Sequence, residues 1–250
     1  MTEFGAIMTR LAVLGDAAMA QPWAWRPEGE VLEARDALHI SFELENVQAA
    51  ATLARGLAEV PYALSLAQRA AGDLAGLVAG QPAEVFDLAP AEGEWTLRET
   101  LRHIIATEAR FRTWSLWFVD HGLEGEQPAD APETEAAGDA AALIEELMAE
   151  RARTDADVQR LTDADLTKPG RWAGHPVDIR FRLHRPASHL VEHAIQCENV
   201  LIALGAIPGE ARQKVRAIWA ARGAHERHSD PAALTHLDSA LAARAAELGA

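Results

Sequence analysis

The sequence predicts an all-α protein, and three observations support this prediction. Alanine, leucine, arginine and glutamate dominate the chain, and these residue types favour helices. Clusters of β-branched residues are scarce, and apolar residues recur at spacings of three and four rather than two. A chain of 250 residues with 49% hydrophobic residues can also bury a sizeable core. Nearly every segment between turn signals is therefore predicted to be helical, and no strand is evident.

Proline and glycine residues divide the first part of the chain into three predicted helices. These helices cover about residues 3–20, about residues 31–58, and a segment from Pro61 to near Gly80. The segment PWAWRPEGE between the first two helices is predicted to be a loop, because it holds two prolines and a glycine. We expect its Trp23 and Trp25 to cover one end of the helical bundle.

Five further helices are predicted in the rest of the chain. They cover about residues 96–120, about 139–161, a segment that carries His189 and His193 and ends between Gly205 and Gly209, about 210–223, and about 231–248. The stretch His121 to Gly138 and the stretch LTKPGRWAGHPVD are predicted loops. Pro186 is expected in the first turn of the helix that bears the two histidines, or at a kink in it.

The predicted helix of residues 96–120 carries two adjacent stripes of side chains. Spacings of three and four place one set of residues on the first stripe, namely Leu97, Leu101, Ile104, Glu108 and Phe111. The neighbouring stripe holds His103, Thr107, Arg110 and Trp114. His103 should therefore point at or near the core.

Charge and cysteine content limit the partners of the protein. The balance of 23 Lys and Arg against 38 Asp and Glu gives a net charge of −15, which repels nucleic acid and anionic membranes. The single cysteine, Cys197, excludes an intrachain disulfide, and the first residues lack the features of a signal peptide. No apolar run approaches the roughly 20 residues of a membrane span. We expect a cytoplasmic protein that binds neither nucleic acid nor membrane.

Three histidines form the most informative pattern in the sequence. His189 and His193 are four residues apart, and residues with that spacing lie on one face of a helix. His103, on another predicted helix, could supply a third imidazole to the same point. Three neutral imidazoles leave coordination positions open, as in a catalytic zinc site. The alternative is a set of ordinary histidines on solvated helix faces.

Two motifs around these histidines resemble those of the DinB (DinB/YfiT-like) family of metal-binding four-helix bundles. In DLAPAEGEWTLRETLRHIIATEARF, the tryptophan Trp95 precedes His103 by eight residues, as in the family's first motif. In HLVEHAIQCENVLIALGAIP, two histidines four residues apart are followed by Gln196 and by an apolar run that closes with glycine and proline, as in the second. The resemblance covers roughly residues 62–208.

The resemblance implies a single domain over residues 1–250, an up-down four-helix bundle with additional N-terminal and C-terminal helices. It also implies one divalent ion, usually zinc or nickel, held by His103, His189 and His193. Members with known chemistry include thiol S-transferases, in which the metal activates a thiol or water. The expected function is therefore that of a metal-dependent S-transferase or hydrolase acting on a small thiol or electrophile. The alternative is a noncatalytic stress-response or binding protein with the same fold, which could form a homodimer. The sequence assigns no catalytic residue.

A competing motif overlaps the second histidine pair. Residues His189 to His193 also match H-x-x-E-H, the inverted zinc-protease pattern in which Glu192 would be the general base. Such proteases need a larger α/β framework and a further acidic ligand downstream. Glu192 also faces about 100° away from His193 on a helix, so we interpret it as a surface carboxylate.

The remaining candidates have an ordinary structural interpretation beside a functional one. His184 could be a fourth ligand or a solvated or capping residue, and Glu108 could orient an imidazole, act as a base or lie exposed. Arg110, Arg182 and Arg185 could bind a substrate carboxylate, and for the last two we favour surface ion pairs. Several other side chains are interpreted as structural: Cys197 as a core residue, Trp114, Trp117 and Trp172 as core or pocket lining, and His225, His228 and His236 as parts of an exposed segment.

Overall fold

The computed structural model describes residues 2–25, 29–126, 128–129 and 139–250, and these residues are predominantly helical. The α-helices are α1 (Glu3–Ala12), α2 (Asp16–Met19), α3 (Ala34–Leu53), α4 (Glu59–Val78), α5 (Leu97–His121), α6 (Ala140–Val158), α7 (Asp163–Leu166), α8 (Ile179–Ala203), α9 (Glu210–His225) and α10 (Pro231–Glu247). A 3-10 helix covers Ala83–Asp87. Two antiparallel strand pairs complete the described elements, β1 (Pro22–Ala24) with β2 (Val31–Glu33) and β3 (Pro169–Trp172) with β4 (His175–Asp178). The prediction of an all-α fold is confirmed.

Helices α4, α5, α6 and α8 form a four-helix core. Each of α4 and α5 packs against both α6 and α8. Leu101 and Ile104 of α5, Leu147 of α6 and Leu190 of α8 are almost completely buried in one apolar cluster. The two helices that carry the three histidines are therefore direct neighbours, because the apolar stripe beside each histidine turns into the same core.

The remaining long helices form a second layer on α4. Helix α9 packs closely along α4, α3 and α1 pack against α9, and α10 packs against α3 and α1. Glycines permit this close approach: a Cβ atom added to Gly72 would lie 2.5 Å from the carbonyl oxygen of Trp219, and one added to Gly76 would lie 2.5 Å from the Cα atom of Arg216. The terminal helices thus pack outside the four-helix core, as predicted.

Local hydrogen bonds fix the start of both histidine-bearing helices. At the start of α5, the Thr96 hydroxyl accepts from the Glu99 backbone N–H at 3.1 Å, and the Glu99 carboxylate accepts from the Thr96 N–H at 2.8 Å. This capping box satisfies two backbone donors that the first helical turn leaves unpaired. At the start of α8, Asp178 Oδ1 accepts from the Phe181 N–H at 2.8 Å. Strand β4 therefore leads directly into the helix of His189.

The prediction of a loop over LTKPGRWAGHPVD, before α8, was wrong in detail. Its first residue, Leu166, closes α7, and the rest contains the β3–β4 hairpin, in which Trp172 pairs with His175. The two connecting residues, Ala173 and Gly174, have φ angles of 48° and 80°, and positive φ at both positions is typical of a tight two-residue hairpin turn. The sequence signal was weak because alanine rarely adopts this conformation.

Other boundaries also differ from the prediction. The helix predicted over about residues 3–20 is divided into α1 and α2, and the helix predicted over 31–58 begins only after β2. Pro186 lies in the interior of α8 rather than in its first turn, because the Asp178 cap starts the helix two turns earlier. Of the loop predicted over His121 to Gly138, His121 closes α5, while residues 127 and 130–138 lie outside the described residues.

The two N-terminal tryptophans have different environments. Trp23 is buried, and its indole N–H donates to Glu247 Oε2 of α10 at 2.8 Å. Trp25 is 44% exposed. Trp23 is therefore held against α10, whereas the exposure of Trp25 does not fit the predicted role at a bundle end. In the part of the chain that the structure describes, no helix is long and apolar enough to span a membrane.

Candidate metal centre

The imidazoles of His103, His189 and His193 converge at the interface of α5 and α8. The distance from His103 Nε2 to His189 Nε2 is 3.3 Å, and the distance from His189 Nε2 to His193 Nε2 is 3.0 Å. One nitrogen from each of the three rings lies within 4.8 Å of the other two. The sequence-predicted set is therefore brought together in space, as a cluster that could hold one metal ion.

The spacing of these nitrogens fits coordination to a single ion. Nitrogens bonded to a tetrahedral zinc at about 2.0–2.1 Å are separated by about 3.3 Å, close to both observed Nε2 distances. His189 and His193 are 7% and 9% exposed, and His103 is half-buried. Without an ion, three nitrogens at this separation cannot all be hydrogen-bonded to one another, since each neutral ring has only one N–H.

Neighbouring groups orient the His193 imidazole and keep the His189 imidazole neutral. His193 Nδ1 lies 2.7 Å from Gln196 Oε1, so the Nδ1–H donates to the amide oxygen and the Nε2 lone pair faces the cluster. Burial lowers the pKa of His189 to about 3, with further lowering by His193, His103 and Arg185. A neutral imidazole is the form that binds a metal ion.

A cavity of about 480 Å³ opens beside the cluster. Its wall is formed by three parts of the chain: α5, α8 and the β3–β4 hairpin. The lining residues are His103, Thr107, Arg110, Phe111, Trp114, Arg171, Trp172, Ala173, Gly174, Arg182, Arg185 and His189. The whole predicted second stripe of α5 thus faces this cavity, and two of the three histidines belong to its wall.

The predicted first stripe of α5 contains one unexpected interaction. Glu108 is 2% exposed and forms an ion pair with Arg151 of α6, which also donates to Asp155 Oδ1 at 2.6 Å. Glu108 is therefore a structural partner of a buried arginine and neither exposed nor in contact with an imidazole. Sequence reasoning could not find this pair, because Arg151 lies 43 residues away on another helix.

The other candidates on α8 mostly have structural roles. His184 lies outside the cluster, with its Nε2 3.3 Å from Glu59 Oε1 of α4. Glu192 is exposed and accepts from Arg185 Nη2 at 3.0 Å, as expected for a surface carboxylate. Arg182 contradicts the prediction of a surface ion pair, because it is 5% exposed and contacts no carboxylate among the described residues.

The sequence also predicted the burial or exposure of several residues away from the cluster. Cys197 is completely buried, and burial raises the pKa of its thiol to about 12, as expected for a core residue. Trp114 and Trp172 line the cavity, and Trp117 stacks on His121. His225 was wrongly predicted to be exposed: it is buried, and its Nε2–H donates to Glu45 at 2.7 Å.

A four-helix core with three convergent histidines and an adjoining cavity defines a helical bundle with a candidate metal centre. Comparison with known proteins identifies its family. Residues 66–197 match the model of the DinB superfamily, and the chain belongs to this superfamily. The match ends four residues beyond His193, so it includes both histidine-bearing segments. No curated protein and no solved structure matches the chain.

Proposed function

We propose that His103, His189 and His193 bind one divalent ion, zinc or nickel, and that the protein is a metal-dependent enzyme. The observation that carries this proposal is the convergence of three imidazole nitrogens, 3.0 Å and 3.3 Å apart, at the wall of a cavity. The resemblance to metal-binding relatives supports the same conclusion. Three protein ligands would leave room for a further group on the cavity side.

The reaction class that this site supports best is attack by an activated thiol or water on a small electrophile, as in an S-transferase or hydrolase. A bound divalent ion lowers the pKa of a thiol or water and supplies a nucleophile at neutral pH. The cavity wall contains no carboxylate among the described residues, so these residues offer no acidic side chain as a general base. The chain's own contribution is to orient the His193 imidazole through Gln196 and to enclose the substrate between α5, α8 and the hairpin.

Metal content measured on protein purified without an affinity tag tests the binding site. We expect one divalent ion per chain, and strong loss of affinity in His103→Ala, His189→Ala and His193→Ala. His184→Ala is the matched control, because this histidine lies on the same helix but pairs with Glu59. Unchanged stoichiometry and affinity in all three cluster variants would contradict the assignment.

Thiol titration into cobalt-substituted protein tests the proposed chemistry. Thiolate coordination adds an intense sulfur-to-metal absorption band, which we expect in the wild type and not in His189→Ala. Transfer of the thiol to an electrophile would support the S-transferase interpretation. If no thiol changes the spectrum and no test ester or amide is hydrolysed, the noncatalytic binding protein becomes the better account. The homodimer stays a prediction, for which sedimentation equilibrium is the measurement.

A further inference from the structure

Arg182 is a buried arginine without an acidic partner among the described residues. Its side chain is 5% exposed, Nε donates to Ser115 Oγ at 3.2 Å and Nη1 donates to the backbone oxygen of Arg171 at 2.5 Å. The guanidinium also lies over the Phe118 ring, 5.2 Å from its centroid. These contacts hold the side chain in place but none of them carries a negative charge. The Nη2 group makes no hydrogen bond to the described residues.

Other buried arginines of this protein are neutralised. Arg151 contacts Glu108 and Asp155, and Arg222 donates to both oxygens of Glu45 at 2.6 Å and 2.9 Å. Burying a charge is costly unless an opposite charge compensates for it. Consistent with this, burial lowers the pKa of Arg182 to about 10 with no opposing influence from a carboxylate. The described residues therefore leave the Arg182 guanidinium without a compensating negative charge, which a bound anion could supply.

The surroundings of Arg182 indicate the kind of anion. Arg182 lines the cavity beside the histidines, where three further arginines and no acidic residue form the wall in the described part of the chain. One of these, Arg185, is already paired with Glu192. Phe111, Trp114 and Trp172 provide apolar and aromatic surface in the same wall. A volume of about 480 Å³ is in the range that encloses a small organic molecule.

We propose that this cavity binds a small organic carboxylate whose planar or apolar body lies against the aromatic wall and whose charge is neutralised by Arg182. Neutralising the one buried guanidinium of this wall takes one negative charge, which a carboxylate supplies. The carboxylate could belong to the thiol or to the electrophile that accepts it, and Arg182 would bind the same acid group in either molecule. The identification of this ligand as the substrate rests on the proposed function, whereas its binding to Arg182 does not require the metal.

Calorimetric titration with benzoate, and with benzamide as the neutral isostere, tests this site. We expect chelator-treated wild type to bind benzoate at least about tenfold more tightly than benzamide, since a hydrogen bond between charged groups is roughly twice as strong as one between neutral groups. Arg182→Met should weaken benzoate binding about tenfold or more and leave benzamide binding unchanged. Arg180→Met is the control, because Arg180 lies on the same helix and pairs with Glu59 at 2.7 Å outside the cavity.

Thermal unfolding separates ligand binding from a purely structural role. Removing an uncompensated charge should leave the Tm of Arg182→Met equal to or above that of the wild type, and benzoate should raise the Tm of the wild type alone. If the methionine variant does not fold, Arg182→Gln replaces it as a neutral polar variant in the same titration.

Three results would overturn the proposal. These are no benzoate binding by chelator-treated wild type, equal benzoate binding by wild type and neutral Arg182 variants, or phenyl phosphate binding tighter than benzoate. Benzoate binding that needs the ion and ignores Arg182 would assign the carboxylate to the metal instead. If metal analysis finds no ion at the three histidines, the benzoate titration of chelator-treated protein keeps its meaning. The metal proposal and the carboxylate proposal can therefore be contradicted independently.

Discussion

Arg151 and Arg182 are both buried against α5, but they lie in regions with opposite charge balance. Around Arg151, the attraction of Glu108 and Asp155 outweighs the large effect of burial and raises the pKa of the guanidinium. Around Arg182, burial acts alone and lowers the pKa to about 10. The first region is complete without a ligand, whereas the second contains a charge that the described chain does not neutralise.

The α4–α9 contact and the cavity differ in packing as well. Between α4 and α9, helices approach so closely that glycine is required at the contact, and no Cβ would fit at Gly72 or Gly76 without a shift of backbone. Between α5, α8 and the hairpin, a cavity of about 480 Å³ remains. Close packing and paired charges characterise the part of the molecule that supports the fold, and their absence marks the part for which we propose a ligand.

The largest expected effect concerns the paired arginine. Arg151→Met should reduce the free energy of unfolding by about 3–5 kcal/mol, because it leaves Glu108 buried without a partner and leaves Asp155 paired with Arg227 alone. Urea unfolding followed by circular dichroism measures this loss. Arg153→Met is the matched control, since Arg153 lies on the same helix, is half-exposed and pairs with Glu150, so its loss should cost less than about 1 kcal/mol. Similar losses in both variants would remove the proposed contrast with Arg182.

A smaller effect is expected at the helix contact. Gly72→Ala should destabilise the protein by about 1–3 kcal/mol, because the new methyl group meets the backbone of α9 at 2.5 Å and overpacks the interface. The same urea titration measures it. Gly15→Ala serves as the control, because a Cβ atom there has nothing within 4 Å. A stabilised Gly72→Ala protein would mean that helix propensity, about 1 kcal/mol in favour of alanine, exceeds the packing cost.

The smallest expected effect is the pH dependence of the unfolding free energy that comes from Glu45, the buried partner of Arg222 and His225. Burial raises the pKa of Glu45, but hydrogen bonds from His225 and Arg222 outweigh it, so the folded-state pKa is lowered. A lowered folded-state pKa stabilises the protein above the unfolded value of about 4.3, and this contribution is lost as the pH falls through the folded value. We expect Glu45→Gln to reduce the dependence of unfolding free energy on pH below about 4.3. An unchanged pH profile would contradict the role of Glu45.

The sequence by itself determined the helical class and the candidate ligands. Spacings of three and four define the core face of each helix, and the same spacing puts His189 and His193 on one face. The Trp95–His103 and His189–Gln196 motifs led to the DinB superfamily, which the match over residues 66–197 confirms. The two stripes of α5 were also correctly separated, because a regular helix fixes which side chains share a face.

Only the tertiary structure decided how the charged residues are used. The sequence did not reveal the buried ion pair of Glu108, and the surface ion pair favoured for Arg182 was wrong, since a side chain's partner on another helix leaves no local signal. The β3–β4 hairpin was missed because its turn uses Ala173 with a φ of 48°, and yet it closes the cavity opposite α5. Local periodicity determines which face of a helix is buried, whereas the charge balance and enclosure of a site depend on contacts between segments distant in sequence.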